Sequence, residues 1–263
     1  MNKEDTLRYI ADNKILPDKN FGQNFLCDED IIDSIVELTG ASSGSKVIEI
    51  GPGCGALTDK FVDMGAKIIA VEIDKRLNEH LVRRFEGRDI DIICCDYLKL
   101  EDYDQDSYEY AVSNIPYYVM TPIMIKLMTD LTSCKRMTFM VEEAALARIM
   151  AEPGSKQYGP LAVMCSVYGT VRKELIVPRN AFIPPPHTTS AVITLTRGEG
   201  IPSRGFAPFL DKCFSLRRKK LTNSFPELKP VIASMGLRED IRAEAVTPQE
   251  YRDIFINYTS SLL

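Results

Sequence analysis

The chain of 263 residues is 45% hydrophobic and 26% charged, the balance of an ordinary globular protein, and is long enough for one large domain with a small appendage. No apolar run approaches the roughly 20 residues that cross a bilayer, and Met1 to Tyr9 carries Lys3, Glu4, Asp5 and Arg8 rather than a signal peptide's apolar run, so a cytoplasmic protein without membrane attachment is predicted. The net charge of −5 argues against a general nucleic-acid binder, the 7 cysteines form no CxxC pair, and with His80 and His187 as the 2 histidines neither a metal site nor a Ser-His-Asp triad is expected.

In chain order, an amphipathic segment near Thr6 to Asn13 leads into a loop at Leu16 to Asn20, and Asp28 caps a helix carrying Ile31, Ile32, Ile35, Val36 and Leu38. From Lys46 strands and helices alternate. Lys46 to Ile50 is a short apolar strand ending in Gly51-Pro52-Gly53-Cys54-Gly55, and the helix through Leu57, Phe61 and Val62 stops at Gly65. Ile68 to Val71 is the second strand, ending at Glu72; Asp74 to Phe85 is a helix; Ile90 to Ile93 is the third strand, ending near Asp96. Tyr110 to Ser113 is the fourth, ending at Asn114, followed by a helix at Pro122 to Leu131, a strand at Arg136 to Val141 and a helix at Glu142 to Met150. Val171 to Pro178 and Ser190 to Thr196, separated by Ile183-Pro184-Pro185-Pro186, read as strands pairing at one sheet edge. The pattern breaks at Arg197 to Pro202, and only helical periodicity follows, through Phe209, Leu210 and Cys213, Val231, Ile232 and Met235, and Tyr251, Ile254 and Phe255. The predicted fold is α/β: a Rossmann-like parallel sheet covered by helices on both faces over residues 1–200, with a small all-helical domain over residues 201–263.

In an open parallel sheet, ligands bind at the carboxyl ends of the strands. Gly51, Gly53 and Gly55 follow the first strand, Glu72 ends the second, Asp96 follows the third and Asn114 ends the fourth. Each alone has a plain reading, a tight turn for the glycines and a helix cap for the acids. Together they form a nucleoside-binding ladder. Glycines admit a ligand to the backbone, Glu72 is placed to accept both ribose hydroxyls, and Asp96 to accept an adenine amine. Gly51-x-Gly53-x-x-Ala56, with Glu72 about 20 residues on, also matches the dinucleotide fingerprint, so a nicotinamide enzyme shares the pattern.

Asn114-Ile115-Pro116-Tyr117 separates the two readings. Hydride transfer has no evident need of it. Methylation of an aromatic amine does, because the nitrogen lone pair is delocalised into the ring. Accepting the amine protons on the Asn114 side-chain oxygen and on a backbone carbonyl beside Pro116 favours a more nucleophilic nitrogen, and Tyr117 can stack on the base. Positioning for in-line attack then supplies most of the catalysis, without a metal or a strong base. In isolation the same tetrapeptide is equally well a plain turn.

Phe21-Gly22-Gln23-Asn24-Phe25-Leu26, Glu49 to Thr58, Asn114-Ile115-Pro116-Tyr117-Tyr118, Pro153 to Gly159, Phe182 to Pro186 and Leu216 to Ser224 together resemble the ribosomal RNA adenine dimethyltransferases, and most closely their small-subunit dimethyltransferase A branch. The resemblance runs from Phe21 to about Phe225 and implies a class I methyltransferase sheet that binds S-adenosylmethionine. It implies that Asn24, Leu26, Gly51 and Gly53 line the methionine end of the cofactor, that Glu72 holds its ribose and Asp96 its adenine, and that Asn114 touches both cofactor and target amine. Phe182 would face Tyr117 across a base flipped from its helix. The implied reaction converts neighbouring adenines of small-subunit ribosomal RNA, free or in a pre-ribosomal particle, to dimethyladenines. Arg217, Arg218, Lys219 and Lys220, on charge alone a solvated helix face, would then contact RNA phosphates. With no coiled-coil seam, a monomer is expected.

The chain departs from the family pattern in three places, the first being Pro17-Asp18-Lys19-Asn20, where a basic N-terminal approach is usual. Glu142-Glu143-Ala144 stands where Gln-Lys-Glu is usual, and His187-Thr188-Thr189-Ser190 where Lys-Val-Asp-Ser is usual, which removes positive side chains at Glu143 and His187. These differences bear on the RNA-facing surface and keep open a divergent paralogue that acts mainly as an RNA-binding or ribosome-assembly factor.

Overall fold

The computed structural model describes residues 3–18, 21–101, 103–114, 116–202 and 204–262, with backbone alone for Asp106 and Tyr117. Two compact units emerge, Met1–Glu143 with Arg172–Arg197, and Ala144–Val171 with Gly198–Leu263. The second unit begins its last passage within three residues of the sequence boundary at 200/201, but residues 144–171 group with the helices rather than with the sheet.

The first unit contains α1 (Lys3–Asp12), β1 (Phe25–Leu26), α2 (Glu29–Thr39), β2 (Lys46–Ile50), α3 (Ala56–Met64), β3 (Lys67–Glu72), α4 (Lys75–Arg84), β4 (Ile90–Cys94), β5 (Tyr110–Asn114), α5 (Met120–Asp130) and β6 (Arg136–Glu142). The second unit opens with α6 (Leu146–Ile149) and α7 (Pro160–Tyr168); β7 (Gly169–Val177) runs into the first unit, which then adds β8 (Phe182–Ile183) and β9 (Ser190–Arg197). The seven-stranded sheet has the order β4-β3-β2-β5-β6-β9-β7. β4, β3, β2, β5 and β6 run parallel, and β9 is antiparallel to β6. The order reverses between β2 and β5, so their carboxyl ends flank the crevice in which an open α/β sheet binds its ligand.

Local chemistry places these elements. Asp28 accepts the Ile31 N–H to cap α2, and Asp74 accepts the Arg76 N–H to cap α4. Val47, Ile68, Ala70 and Val112 of the sheet form one cluster with Ile32, Ile35 and Val36 of α2 and Phe61 of α3, which bury their apolar stripes on it. Burying each such side chain stabilises the fold by about 1.5–3 kcal/mol. A satellite cluster of Ile15, Phe25, Cys54 and Leu77, with Tyr9 and Ile10 packed against it, anchors the N-terminal segment.

One predicted helix is corrected. Over Glu142 to Met150 the strand continues through Glu142, whose partner on β9 is Ser190, and only a 3₁₀ turn and the four-residue α6 follow. Ladder pairing takes Glu142 alone, and from Glu143 onward the alanine-rich segment is helical. The pairing of β1 with β8 carries no local sequence signal and was not expected.

The second unit also contains α8 (Phe206–Phe214), α9 (Leu221–Ser224), α10 (Lys229–Ser234) and α11 (Pro248–Ser260). Its core is aromatic. Phe206, Phe209 and Phe255 meet in mutual ring contacts, and Phe225 packs edge-on against Tyr258. The buried hydroxyls of Tyr158 and Tyr251 donate to the carbonyls of Val246 and Ala243, each at 2.8 Å. No helix among the described residues is long and apolar enough to cross a membrane.

Candidate functional site

A cleft of about 800 Å³ opens at the carboxyl ends of β2, β3 and β5, entirely within the first unit. Asn24, Leu26, Gly51, Gly53, Glu72, Asp96, Asn114, Pro116 and Phe182 all line it. Residues chosen from scattered sequence segments are thus brought together. Ile115 and the Tyr117 side chain lie outside the described residues.

Glu72 is one of two buried carboxyls that line the cleft. It is 4% exposed, and it accepts the Asp74 N–H on Oε1 at 2.9 Å and the Gly53 N–H on Oε2 at 3.1 Å. Burial raises its pKa to about 7 against the pull of those backbone donors. A carboxylate offers about four lone-pair positions, so two backbone bonds leave it capacity to accept a pair of vicinal hydroxyls. Gly51 and Gly53 have φ of 72° and 59°, a region that side chains disfavour. A Cβ on Gly53 would stand 3.1 Å from the Phe25 ring, and one on Gly51 would stand 3.7 Å from the Asn114 carbonyl oxygen. The bare backbone therefore forms part of the cradle. Asp96 caps the short turn after β4, accepting the Leu98 N–H on Oδ1 at 3.0 Å.

Asn114 ends β5, and its Nδ2–H donates to the carbonyl of Asn24 at 3.3 Å. A carbonyl can only accept, so the amide must present its nitrogen there; Oδ1 is the acceptor on the opposite branch of the same planar group. Ser113, one residue earlier, donates its hydroxyl to the Ile50 carbonyl at 2.8 Å and holds β5 to β2 beside the cleft. Phe182 is 2% exposed, belongs to the main core cluster and pairs with Leu26 through the β1–β8 ladder. It thus borders the cleft as a fixed wall.

Sequence reasoning missed Glu49 and the role of Gln23. Glu49 lines the cleft at 2% exposure and accepts the Thr58 hydroxyl at 2.7 Å; burial raises its pKa to about 8. The available signal was a lone acid inside the apolar run Val47-Ile48-Glu49-Ile50. Of the departures from the family pattern, Glu142 and His187 lie in the cleft wall, whereas Glu143 is exposed and pairs with Lys173 at 3.9 Å. Among the described residues no group of three or more His, Cys, Asp or Glu could hold a metal.

The basic run lies in the second unit and divides. Arg218, Lys219 and Lys220 are exposed. Arg217 is turned inward, donating to the carbonyls of Lys156 at 2.7 Å and Ser155 at 2.8 Å and pairing with Glu244 at 3.2 Å.

The family model for ribosomal RNA adenine dimethylase matches residues 17–260. The ribosomal RNA small subunit methyltransferase A of Deinococcus radiodurans is 33% identical over 246 residues, covering 90% of this chain and 84% of the relative. That of Geobacillus thermodenitrificans is 37% identical over 219 residues, covering 78% and 75%. A dimethyladenosine transferase from Plasmodium falciparum superposes with a TM-score of 0.72 at 22% identity, over 91% of this chain and 98% of that one. The 23S rRNA methyltransferase ErmE superposes at 0.63 with 21% identity, over 90% and 100%. At these identities the two structures speak to the fold, which is that of the methyltransferase sheet expected here.

Proposed function

Because the chain belongs to the ribosomal RNA adenine dimethylase family, we propose that it dimethylates the exocyclic amines of neighbouring adenines in small-subunit ribosomal RNA, using S-adenosylmethionine. When bound, that cofactor supplies an electrophilic methyl group on a sulfonium sulfur. The cleft fits it by the chemistry of its donor and acceptor set: a buried carboxylate at Glu72 for the ribose, the Asp96 carboxylate for the adenine amine, and bare backbone at Gly51 and Gly53 for the methionine end, with Asn24 and Leu26 beside it.

The observation that supports this reading best is the direction of the Asn114 amide. Its nitrogen is committed to the Asn24 carbonyl, so Oδ1 is the atom that accepts a proton of the target amine. A carbonyl next to Pro116 accepts the other, which localises the nitrogen lone pair for attack. Phe182 borders the flipped base as part of the cleft wall, and most of the rate comes from orientation. In the second unit Arg218, Lys219 and Lys220 contact RNA phosphates and fix register without reading sequence.

The decisive experiment is transfer of labelled methyl groups to undermethylated small ribosomal subunits by the wild type and Asn114→Ala. Dimethyladenine should form with the wild type, and the rate should fall by about 10²–10³ in the variant, the cost of one preorganised polar contact at a reacting centre. Cofactor binding without any methyl incorporation into the particle would instead favour an RNA-binding assembly factor.

A further inference from the structure

The Gln23 amide ties the N-terminal segment to the wall that carries Glu72. Its Nε2–H donates to Asp74 Oδ2 at 2.9 Å, and its Oε1 accepts the backbone N–H of Asp18 at 2.7 Å. Asp74 is 3% exposed and also accepts from the Arg76 backbone N–H, Nε and Nη2. Burial opposes that charge, but the hydrogen bonds from Arg76 and Gln23 outweigh it and hold the carboxyl at about 2. Asp74 is therefore an anion at any working pH. Its own N–H donates to Glu72 Oε1.

The neighbouring residues reach the opposite wall. Asn24 offers its carbonyl to the Asn114 amide. Phe25 and Leu26 pair with Ile183 and Phe182. A single short segment thus contacts the ribose-end carboxylate through Asp74, the acceptor-end amide through Asn24, and the aromatic wall through β1.

Resting on the reading of this cleft as a methyl-transfer site, we propose that Gln23 is a positioning residue, locking the segment to Asp74 so that the cofactor wall and the Asn114 acceptor are held at a set separation. The side-chain type matters. Gln donates to an anion and accepts from a backbone N–H with one amide. Glu has no donor and would set a second carboxylate about 3 Å from Asp74, where like charges repel strongly. Asn is one methylene shorter, and Leu offers neither bond. A residue that only filled space would show no such preference. Within-reach methyl transfer is steep in geometry, and a misplacement of about 1 Å can cost on the order of 10²-fold.

The test uses the full chain, calorimetric binding of S-adenosylmethionine and steady-state methyl transfer. The variants are Gln23→Glu and the double variant Gln23→Glu with Asp74→Asn. In the double variant the bond reverses polarity, with the introduced amide donating to the introduced carboxylate. Arg76 Nη2, which loses its acceptor at Oδ2, has Asp18 Oδ2 3.8 Å away; Oδ1 still accepts from the Arg76 backbone N–H and Nε, and Asn is as good a helix cap as Asp. Gln23→Glu should weaken cofactor binding by about tenfold or more, the cost of losing a charge-assisted bond and gaining a like charge, and should also lower kcat. KM for the ribosomal particle should move by less than about twofold, since the second unit's phosphate contacts are untouched. The double variant should recover most of the loss at a temperature well below both Tm values. A Gln23→Glu protein that binds and turns over like the wild type, or a double variant no better than the single, overturns the positioning role. A wild type that binds no cofactor overturns the reading of the cleft itself.

Discussion

Glu49 and Glu72 make stability fall as the cleft is made alkaline, and the size of the fall follows from their burial. Both carboxyls start from a value of 4.5 and are raised by desolvation, to about 8 for Glu49 and about 7 for Glu72. A carboxyl whose pKa is raised by folding stabilises the native state fully only below its unfolded value, and that stabilisation is lost as pH rises through the folded value. Between about pH 6 and pH 9 the unfolded chain has already released both protons. The native state keeps the Glu49 proton for about two further pH units and the Glu72 proton for about one, which costs roughly 3 and roughly 1 kcal/mol. Glu49→Gln imitates the protonated carboxyl: its amide oxygen still accepts the Thr58 hydroxyl, and nothing remains to ionise. Urea denaturation of cofactor-free protein across that interval should therefore show a loss of roughly 4 kcal/mol for the wild type and roughly 1 kcal/mol for Glu49→Gln, with titrations elsewhere cancelling in the difference. The two acids repel one another, so the residual slope in the variant should be, if anything, shallower. Parallel losses in the two proteins would refute the claim that Glu49 is a buried titrating group of the cleft.

Gly53→Ala places a Cβ 3.1 Å from the Phe25 ring at a φ of 59°, which costs about 1–2 kcal/mol in backbone strain alone and disturbs the N–H that Glu72 accepts. Calorimetry should show weakened cofactor binding, with RNA affinity preserved. The basic run should divide by function. Arg217→Ala loses its bonds to Ser155, Lys156 and Glu244 and should lower stability by about 1–3 kcal/mol in denaturant titrations. Lys219→Ala and Lys220→Ala should leave stability unchanged and each reduce the salt dependence of RNA binding by about 0.7–0.9 in log–log slope.

The sheet and most of the cleft were legible because they rest on local rules. Short apolar runs alternating with helical periodicity determine a parallel sheet, and a parallel sheet determines where its ligand sits. Gly51, Gly53, Glu72, Asp96 and Asn114 follow directly, each from its position at a strand end. The caps at Asp28 and Asp74 follow from side-chain chemistry. What was not legible depends on contacts between distant segments. Cys27 bonds to the Ala181 carbonyl across 154 positions, and nothing near either residue announces it. The same holds for residues 144–171: no helix is predicted over Pro160–Tyr168, and membership of the second unit is decided by packing. Arg217 looks like its neighbours in sequence, and only its carbonyl partners separate it from them.

The order of residues 23 to 26 shows why the opening motif behaves as a unit although its members have different jobs. In an extended segment successive side chains alternate in direction while backbone carbonyls remain available between them. Gln23 uses its side chain on Asp74, Asn24 uses its carbonyl on Asn114, and Phe25 lies over Gly53 while the backbone of Phe25 and Leu26 is occupied by β8. Insertion of one residue would break this register and exchange the directions of every later side chain. The bond from Gln23 to Asp74 and the register of Phe25 on β8 therefore cannot both survive a one-residue insertion between Gln23 and Phe25. Such an insertion should abolish methyl transfer while the sheet order, built from residues beyond it, is retained.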